Sequence, residues 1–394
     1  MPELPEVERA AKLLRSIAEG NNIVEVEAVE DTIVYSGTSH QEFAETLKGR
    51  SVKTVGRYGK VFYMELNGKG KVPVMHFGMT GMLQVKGQLA TYYKETPKKA
   101  STDWPPRFMK FILHIKNKAT GDITEVAFLD ARRLGRIRLC ESPLTDPPIS
   151  SLGFDPILSM PGLDEFKGLV LKRSCPIKAL LLDQSFSAGV GNWVAGTHIH
   201  SLLFHDLMHS EDEILYHSRI HPERRCNTLS EDELAALHHH TQEVCRVAVA
   251  VNADDTKFPS NWLFKHRWGK GKKKHTLTLP SGDPASIKWI TVGGRTSAFV
   301  AELQHPAGGA TKARRKGKSK ETDATADEGE ESELTSLEDE DAETDAPSKS
   351  SRKRKASDPG PGEEMRVARR KTKTELAVEA IKSEPVRRSR RHKT

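Results

Sequence analysis

Residues 1–18 read MPELPEVERAAKLLRSIA. Two prolines stand in the first five positions, and glutamates at Glu3, Glu6 and Glu8. Proline lacks a backbone N–H and fixes its own φ, so it resists a helix interior but suits a first turn. From residue 6 to 18 the apolar side chains of Val7, Ala10, Ala11, Leu14 and Ile17 recur at helical spacing. Gly20 is placed to cap that helix at its C-terminus. The stretch predicts a helix that starts almost at once, with Pro5 in its first turn. A frayed tail is the alternative, because chain termini are poorly ordered unless tied down.

Outward from this helix come eight short runs of strand character. They are NIVEVEAVE, SVKTVGRYG, KVFYMEL, VPVMHFGM, GMLQVKG, FMKFILHIK, ITEVAFLD and GRIRLC. Turn residues part them: Gly37, Asn67-Gly68, Gly70, Gly87, Gly121 and Asp122. Many short strands at this spacing predict a sandwich or barrel. From Leu163 the texture becomes helical, in LDEFKGLVLKR, IKALLLDQ, NWVAGTHIHSLLF and SEDELAALHHHTQEVCRVAVAV. Ser230 and Glu233 form a capping-box pattern. Residues 257–304 return to strand-like runs, HTLTLP, IKWITV and GGRTSAFVAEL, and predict a hairpin module. That module carries a basic cluster, Lys270, Lys272, Lys273 and Lys274.

The chain has 394 residues, 36% hydrophobic and 29% charged, with net charge +7. Such a polar average predicts a folded part joined to a disordered one. Residues 307–394 hold 22 Lys and Arg against 19 Asp and Glu; the rest of the chain holds 39 against 35. The body is thus only mildly basic, and a nucleic-acid site on it must be a local patch. The segment 307–394 is nearly free of aromatics and cannot bury enough apolar surface to offset ordering entropy. Its basic clusters KARRKGKSK, SRKRK, RVARRKTK and RRSRRHK read as nuclear localisation signals or nucleic-acid tethers. The expected destination is the nucleus, with the mitochondrion as the second. No apolar stretch reaches the roughly 20 residues of a membrane helix. No secretory h-region follows Met1. The cysteines Cys140, Cys175, Cys226 and Cys245 form no CxxC pair, which argues against a cysteine zinc site and for a reducing compartment.

Four motifs carry chemistry. SAGVGN, between two predicted helices, is either an ordinary tight turn or a backbone nest for a DNA phosphate. LDARRLGRIRL sets Arg132, Arg133, Arg136 and Arg138 within seven residues. Arg136 and Arg138 alternate as on one strand face. Arg132 and Arg133 flank Leu134 at a loop tip, an arrangement suited to a wedge in a base stack or simply to a solvated turn. Met79, in HFGMTGM, is a core methionine or a turn-borne probe. His238, His239 and His240 are consecutive, which predicts a solvated helix side rather than a metal site.

Taken in order, MPELPEV, GRYGK, HFGMTG, DARRLG, KALLLDQ…GVGN and GGRT resemble the formamidopyrimidine-DNA glycosylase / endonuclease VIII family over roughly residues 2–305. Leu4, rather than glycine, favours the formamidopyrimidine branch. The resemblance implies an α+β fold: an N-terminal β-sandwich with a leading helix, a helix-two-turn-helix domain, a zincless-finger β-hairpin and a disordered C-terminal tail. The corresponding boundaries are 2–145, 150–255, 256–306 and 307–394. It implies that Pro2, freed by removal of Met1, is the nucleophile, with Glu3 as general acid/base. Lys60 of GRYGK would assist near the damaged base, and Arg295 of GGRT would bind phosphate during the second elimination. Glu6 would support the site. Met79, Arg132 and Leu134 would fill the gap left by the flipped base, and Arg133, Arg173, Lys178 and Asn192 would contact phosphates.

The sequence departs from the family's usual pattern at three places. Leu134 stands where phenylalanine is usual. No cysteine follows Cys245, so the paired cysteines of the bacterial zinc finger are missing and no metal cofactor is expected. FPSNWLFKHRWGKG is short where many bacterial members have a longer loop over flipped 8-oxoguanine, which favours formamidopyrimidines and hydantoins as substrates. The implied protein is a monomeric bifunctional glycosylase/AP lyase acting on oxidised purines in duplex DNA by β,δ-elimination. The alternatives are a non-catalytic damaged-DNA-binding protein on the same scaffold, and an N-terminal-proline tautomerase.

Overall fold

A computed structural model of the chain describes residues 2–88, 103–191, 210–267 and 277–306. Asn192, the 270–274 lysine cluster, the NWVAGTHIHSLLF segment and the charged segment 307–394 lie outside these residues.

The leading helix, α1 (Leu4–Ala18), starts two residues earlier than its apolar spacing predicts. Glu3 is its N-cap and Pro5 its second residue, where a missing N–H costs nothing. After Glu19, Gly20 takes φ +79° and donates its N–H to the Val52 carbonyl (2.9 Å). The apolar stripe Val7, Ala10, Ala11, Leu14 and Ala18 is buried against strands β2 (Val52–Tyr58) and β3 (Val61–Leu66).

All eight expected strands of the N-terminal part are present. β2 and β3 join β4 (Val72–His76) and β8 (Arg136–Cys140) in an antiparallel sheet of order β2-β3-β4-β8. β1 (Asn22–Ala28), β6 (Met109–Lys116), β7 (Ile123–Leu129) and β5 (Met82–Val85) make the second, of order β1-β6-β7-β5. The two sheets close on one apolar core. Phe62 stacks on Phe77 (4.6 Å between centroids), Phe77 on Phe128 (5.4 Å), and Phe128 on Phe111 (5.4 Å). A second helix, α2 (His40–Leu47), covers β1 by burying Phe43 and Leu47; its eight residues carried no readable period.

The helical part contains α3 (Leu163–Leu171), α4 (Ile177–Leu182), α5 (Ser210–His217) and α6 (Glu231–Ala250). The capping box at the start of α6 is formed, with Glu233 N donating to Ser230 Oγ (3.2 Å) and Ser230 N to Glu233 Oε2 (2.8 Å). The histidine run on α6 is less solvated than its sequence suggests. His238 hydrogen-bonds the Pro161 carbonyl, and burial beside His217 and His239 pushes His240 down to about 4.

The last element is a hairpin of β9 (Ile287–Val292) and β10 (Arg295–Val300). Its two-residue turn, Gly293-Gly294, has φ +60° and +74°, the signs a tight hairpin turn needs. Of HTLTLP only residues 277–280 are described; they contain no strand, and Thr278 makes an isolated bridge to Pro284. Among the described residues, no helix is long and apolar enough to cross a membrane. The fold class is therefore α+β: paired β-sheets with a leading helix, then a helical domain, then a β-hairpin.

Candidate active site

Pro2 and Glu3 are buried at the start of α1. Leu4 anchors them: its side chain enters the core of the helical part, and its N–H donates to the Gly189 carbonyl (3.3 Å). The first residues are thereby held between the β-sheets and the helices. Glu3 N donates to Glu6 Oε2 (3.0 Å), which places a second carboxyl beside the first. Burial, and then the charge of Glu3, push the Glu6 carboxyl up to about 8. Glu6 is therefore largely protonated at neutral pH and can stay beside Glu3 without like-charge repulsion.

Lys60 comes from the two-residue turn between β2 and β3. Gly59 makes that turn with φ +56°, and its N–H donates to Asp155 Oδ2 (2.8 Å). Arg57, buried beneath the turn, pairs with the same Asp155 carboxylate, with Glu8 Oε2 (2.8 Å) and with the Gly59 carbonyl (3.2 Å). The Lys60 amine donates to the Val190 carbonyl (3.0 Å). A Cβ built on Gly191 would lie 2.0 Å from Lys60 Nζ and 3.4 Å from Glu3 Oε1. Gly191 is thus the point where the catalytic amine and carboxylate candidates converge.

Of the two readings of SAGVGN, residues 187–191 show the turn. Gln184 holds the turn, taking the Gly189 N–H on Oε1 (3.0 Å) and donating to the Val190 carbonyl (2.7 Å). The Ala188 N–H goes to the Phe154 carbonyl (2.8 Å). These two amides are committed internally and supply no phosphate nest. The turn instead packs the N-terminus against Lys60. No motif in the sequence marks Arg57, Asp155 or Gln184 as site residues. Arg57 lies inside GRYGK and Gln184 inside KALLLDQ, but only folding reveals their partners.

Met79 lies half-buried in a turn closed by Gly81 N on the Phe77 carbonyl (2.8 Å). That turn abuts the arginine loop: a Cβ on Gly78 would sit 2.3 Å from the Leu134 carbonyl carbon. Thr80 and Asp130 stitch the two together, Thr80 Oγ1 donating to Asp130 Oδ1 (2.8 Å) and Gly135 N to Asp130 Oδ2 (2.6 Å). Arg132 and Leu134 are exposed at the tip. Arg133 is also on the tip, but its guanidinium grips Asp31 rather than pointing freely outward. His76, Arg136 and Arg138 lie on neighbouring strands close to this loop. Burial, with the positive charges of Lys60, Arg136 and Arg138, pushes His76 down to about 4, so it is neutral in a cationic patch.

Arg173 is exposed at the end of α3. Lys178 is not exposed: it is fully buried, with its amine on the Thr296 carbonyl (3.1 Å), on Ser297, and 3.7 Å from Asp212. It ties α4 to the hairpin strand that begins with Arg295. Arg295 itself is exposed at the hairpin tip, and a Cβ built on Gly293 in the turn before it would lie 3.5 Å from the Ala179 side chain of α4.

The site thus consists of a buried N-terminus, a lysine brought beside it by a glycine turn, and two mutually braced loops, and comparison with known proteins gives its class as that of the DNA glycosylases. The model of the formamidopyrimidine-DNA glycosylase N-terminal domain matches residues 1–137, and that of the family's H2TH domain matches residues 152–260. The formamidopyrimidine-DNA glycosylase of Arabidopsis thaliana is 36% identical over 330 residues, covering 82% of this chain and 77% of the relative. That of Bacillus subtilis is 25% identical over 311 residues, covering 77% and 99%. A Lactococcus lactis formamidopyrimidine-DNA glycosylase, solved non-covalently bound to DNA containing an AP site, shares the fold at TM-score 0.58 and 22% identity, covering 77% of this chain and all of that one. The chain belongs to the formamidopyrimidine-DNA glycosylase / endonuclease VIII family.

Proposed function

We propose that this protein is a DNA glycosylase of base excision repair with AP lyase activity, in which Pro2 is the nucleophile once Met1 is removed. The observation that carries the reading is the convergence of Pro2-Glu3, Lys60 and Gly191 at the buried start of α1. An α-amino group titrates at about 7.7–8.0, well below lysine, so a useful fraction is unprotonated at neutral pH. The secondary amine attacks C1′ of the damaged nucleotide. The C1′–N bond to the base breaks, and the base leaves with the bonding pair and takes up a proton; the amine then loses its own proton, the C1′–O4′ bond opens with O4′ taking up a proton, and an iminium remains. That cation acidifies the C2′ proton, and its loss expels the 3′ phosphate; a second elimination expels the 5′ phosphate. Glu3 moves protons at the sugar ring. The mostly protonated Glu6 donates no charge of its own and keeps Glu3 in place through the Glu3 N–H. Lys60 serves the base and its phosphates. Arg295, exposed on the hairpin, meets the phosphate that leaves last.

The target base must leave the stack to be reached. Met79, Arg132 and Leu134 fill the space it vacates, and Arg133, Arg173, Lys178 and Asn192 steady the backbone. Phosphate contacts position an enzyme without reading sequence, as a search of all DNA requires. Lys178 does so through the hairpin it holds. The substrates are oxidised purines and abasic sites in duplex DNA; the short 258–271 segment favours formamidopyrimidines and hydantoins over 8-oxoguanine.

The chain is of the formamidopyrimidine branch and its finger needs no zinc. Leu263, Leu277, Ala285, Ile287, Ala298 and Val300 give the hairpin an apolar core of its own, and Asp212 accepts the Ala298 N–H (2.8 Å). The four-part division at 145, 255 and 306 and delivery to the nucleus by the basic clusters of 307–394 belong to the same reading.

The test is incision of a duplex oligonucleotide with one formamidopyrimidine or abasic site. A one-nucleotide gap bearing phosphate at both ends is the expected product. Tight binding to the same duplex with no incision would favour a damage-binding scaffold without catalysis.

A further inference from the structure

We propose that Asp31 is a positioning residue for base excision: its carboxylate clamps the 132–134 loop in the posture from which the loop enters the DNA stack. This rests on the gap-filling role given above to Arg132 and Leu134.

Asp31 lies between β1 and α2, distant in sequence from the loop, and is only 7% exposed. Its own segment fixes the carboxylate, since the N–H groups of Ile33 and Val34 both donate to Oδ1 (3.1 Å). Lys110 of β6 donates to Oδ2 (2.9 Å). The remaining side receives Arg133, with Nε on Oδ2 (3.0 Å) and Nη2 on Oδ1 (3.0 Å). That is a two-point, charge-assisted grip with fixed direction. Burial alone would raise the Asp31 carboxyl, but hydrogen bonds from Arg133 and Lys110 outweigh it and hold it well below the usual carboxylate range. The grip is therefore charged throughout the physiological range.

The loop needs such a hold. Arg133 has φ +55°, a left-handed conformation that a non-glycine residue adopts at a steric cost. Strain of this kind persists only where the surroundings over-determine it. Leu134 is 39% exposed and Arg132 is exposed, so packing does not pin the tip. Asp130 braces the base of the loop, through Arg132 N (3.2 Å) and Gly135 N (2.6 Å). Asp31 braces the tip. A loop already ordered before it meets DNA avoids the ordering cost at the encounter.

The experiment compares the full chain with Asp31→Asn, Arg133→Ala, their double variant, and Leu134→Ala. Each is assayed for single-turnover excision from a lesion duplex and for lyase cleavage of a single-stranded abasic oligonucleotide, which has no stacked gap to fill. A 2-aminopurine opposite the lesion reports insertion of the tip. Asp31→Asn is expected to slow duplex excision roughly tenfold, as loss of one charge-assisted bidentate contact would. It should blunt the 2-aminopurine signal and leave the single-strand rate unchanged, and the double variant should be no slower than Arg133→Ala. Equal loss on both substrates would mean a general structural role and overturn the proposal, as would losses that multiply in the double variant. If Leu134→Ala is impaired on duplex and Asp31→Asn is not, the clamp fails while the loop's role stands. If Leu134→Ala is unimpaired, the loop's role fails and the clamp with it.

Discussion

Gly191 has no side chain because Lys60 and Glu3 occupy the place where one would stand. Gly191→Ala would push the amine off the Val190 carbonyl and away from Glu3. The expected result is at least about a tenfold loss in single-turnover excision, since displacing a catalytic group by an ångström costs on that order or more. The fold should survive, because the clash is with the far end of a flexible lysine. Glu6 gives a pH signature. Its carboxyl is raised from an ordinary 4.5 to about 8, so the folded state holds a proton that the unfolded chain releases between those values. Its contribution to stability is complete below about pH 4.5 and is lost as pH rises through about 8. Thermal denaturation of Glu6→Gln should lack that decline, while the parent chain keeps it. At this scale the family resemblance names Pro2, Glu3 and Lys60 as candidates, and the structure brings Glu3 and Lys60 together at Gly191. Their mutual placement was not legible in the sequence, because it depends on where a glycine turn more than 120 residues away comes to rest.

Among elements, the turn between β2 and β3 is set from below by the buried Arg57–Asp155 pair, which links the first sheet to the segment preceding α3. Breaking a buried pair strands a charge and costs about 3–5 kcal/mol. Asp155→Ala should lower the denaturation midpoint accordingly and also slow excision, since Gly59 and Lys60 lose their anchor. Unchanged stability would mean that the pair is dispensable. All eight strands of the sheets were readable because alternation and turn residues are local signals. The short helix α2 was not, since eight residues give little period and its stability comes from burying Phe43 and Leu47 on β1. Likewise SAGVGN read as either a tight turn or a phosphate nest, because composition shows glycine freedom but not which amides are already taken. The histidine run read as solvated because His217, which packs against it, lies on another helix.

For the whole molecule, the sheets and the helices meet around the first residues of the chain, which is why a stretch resembling a loose tail is buried. The hairpin carries its own apolar core, so incubation with a chelator should leave incision unchanged; loss restored by zinc would contradict a metal-free finger. Removal of 307–394 should leave incision of short duplexes intact, while weakening binding to long DNA and making its salt dependence shallower, because basic clusters are lost. A truncated chain unable to incise would place that segment in the catalytic unit. The central claim is that the chain's second residue forms a covalent bond with the damaged sugar, and borohydride reduction during turnover tests it most directly. The account predicts a stable protein–DNA adduct that maps to Pro2 and is abolished in Pro2→Gly or when Met1 is retained. Full trapping with Met1 in place, or an adduct on Lys60, would contradict it.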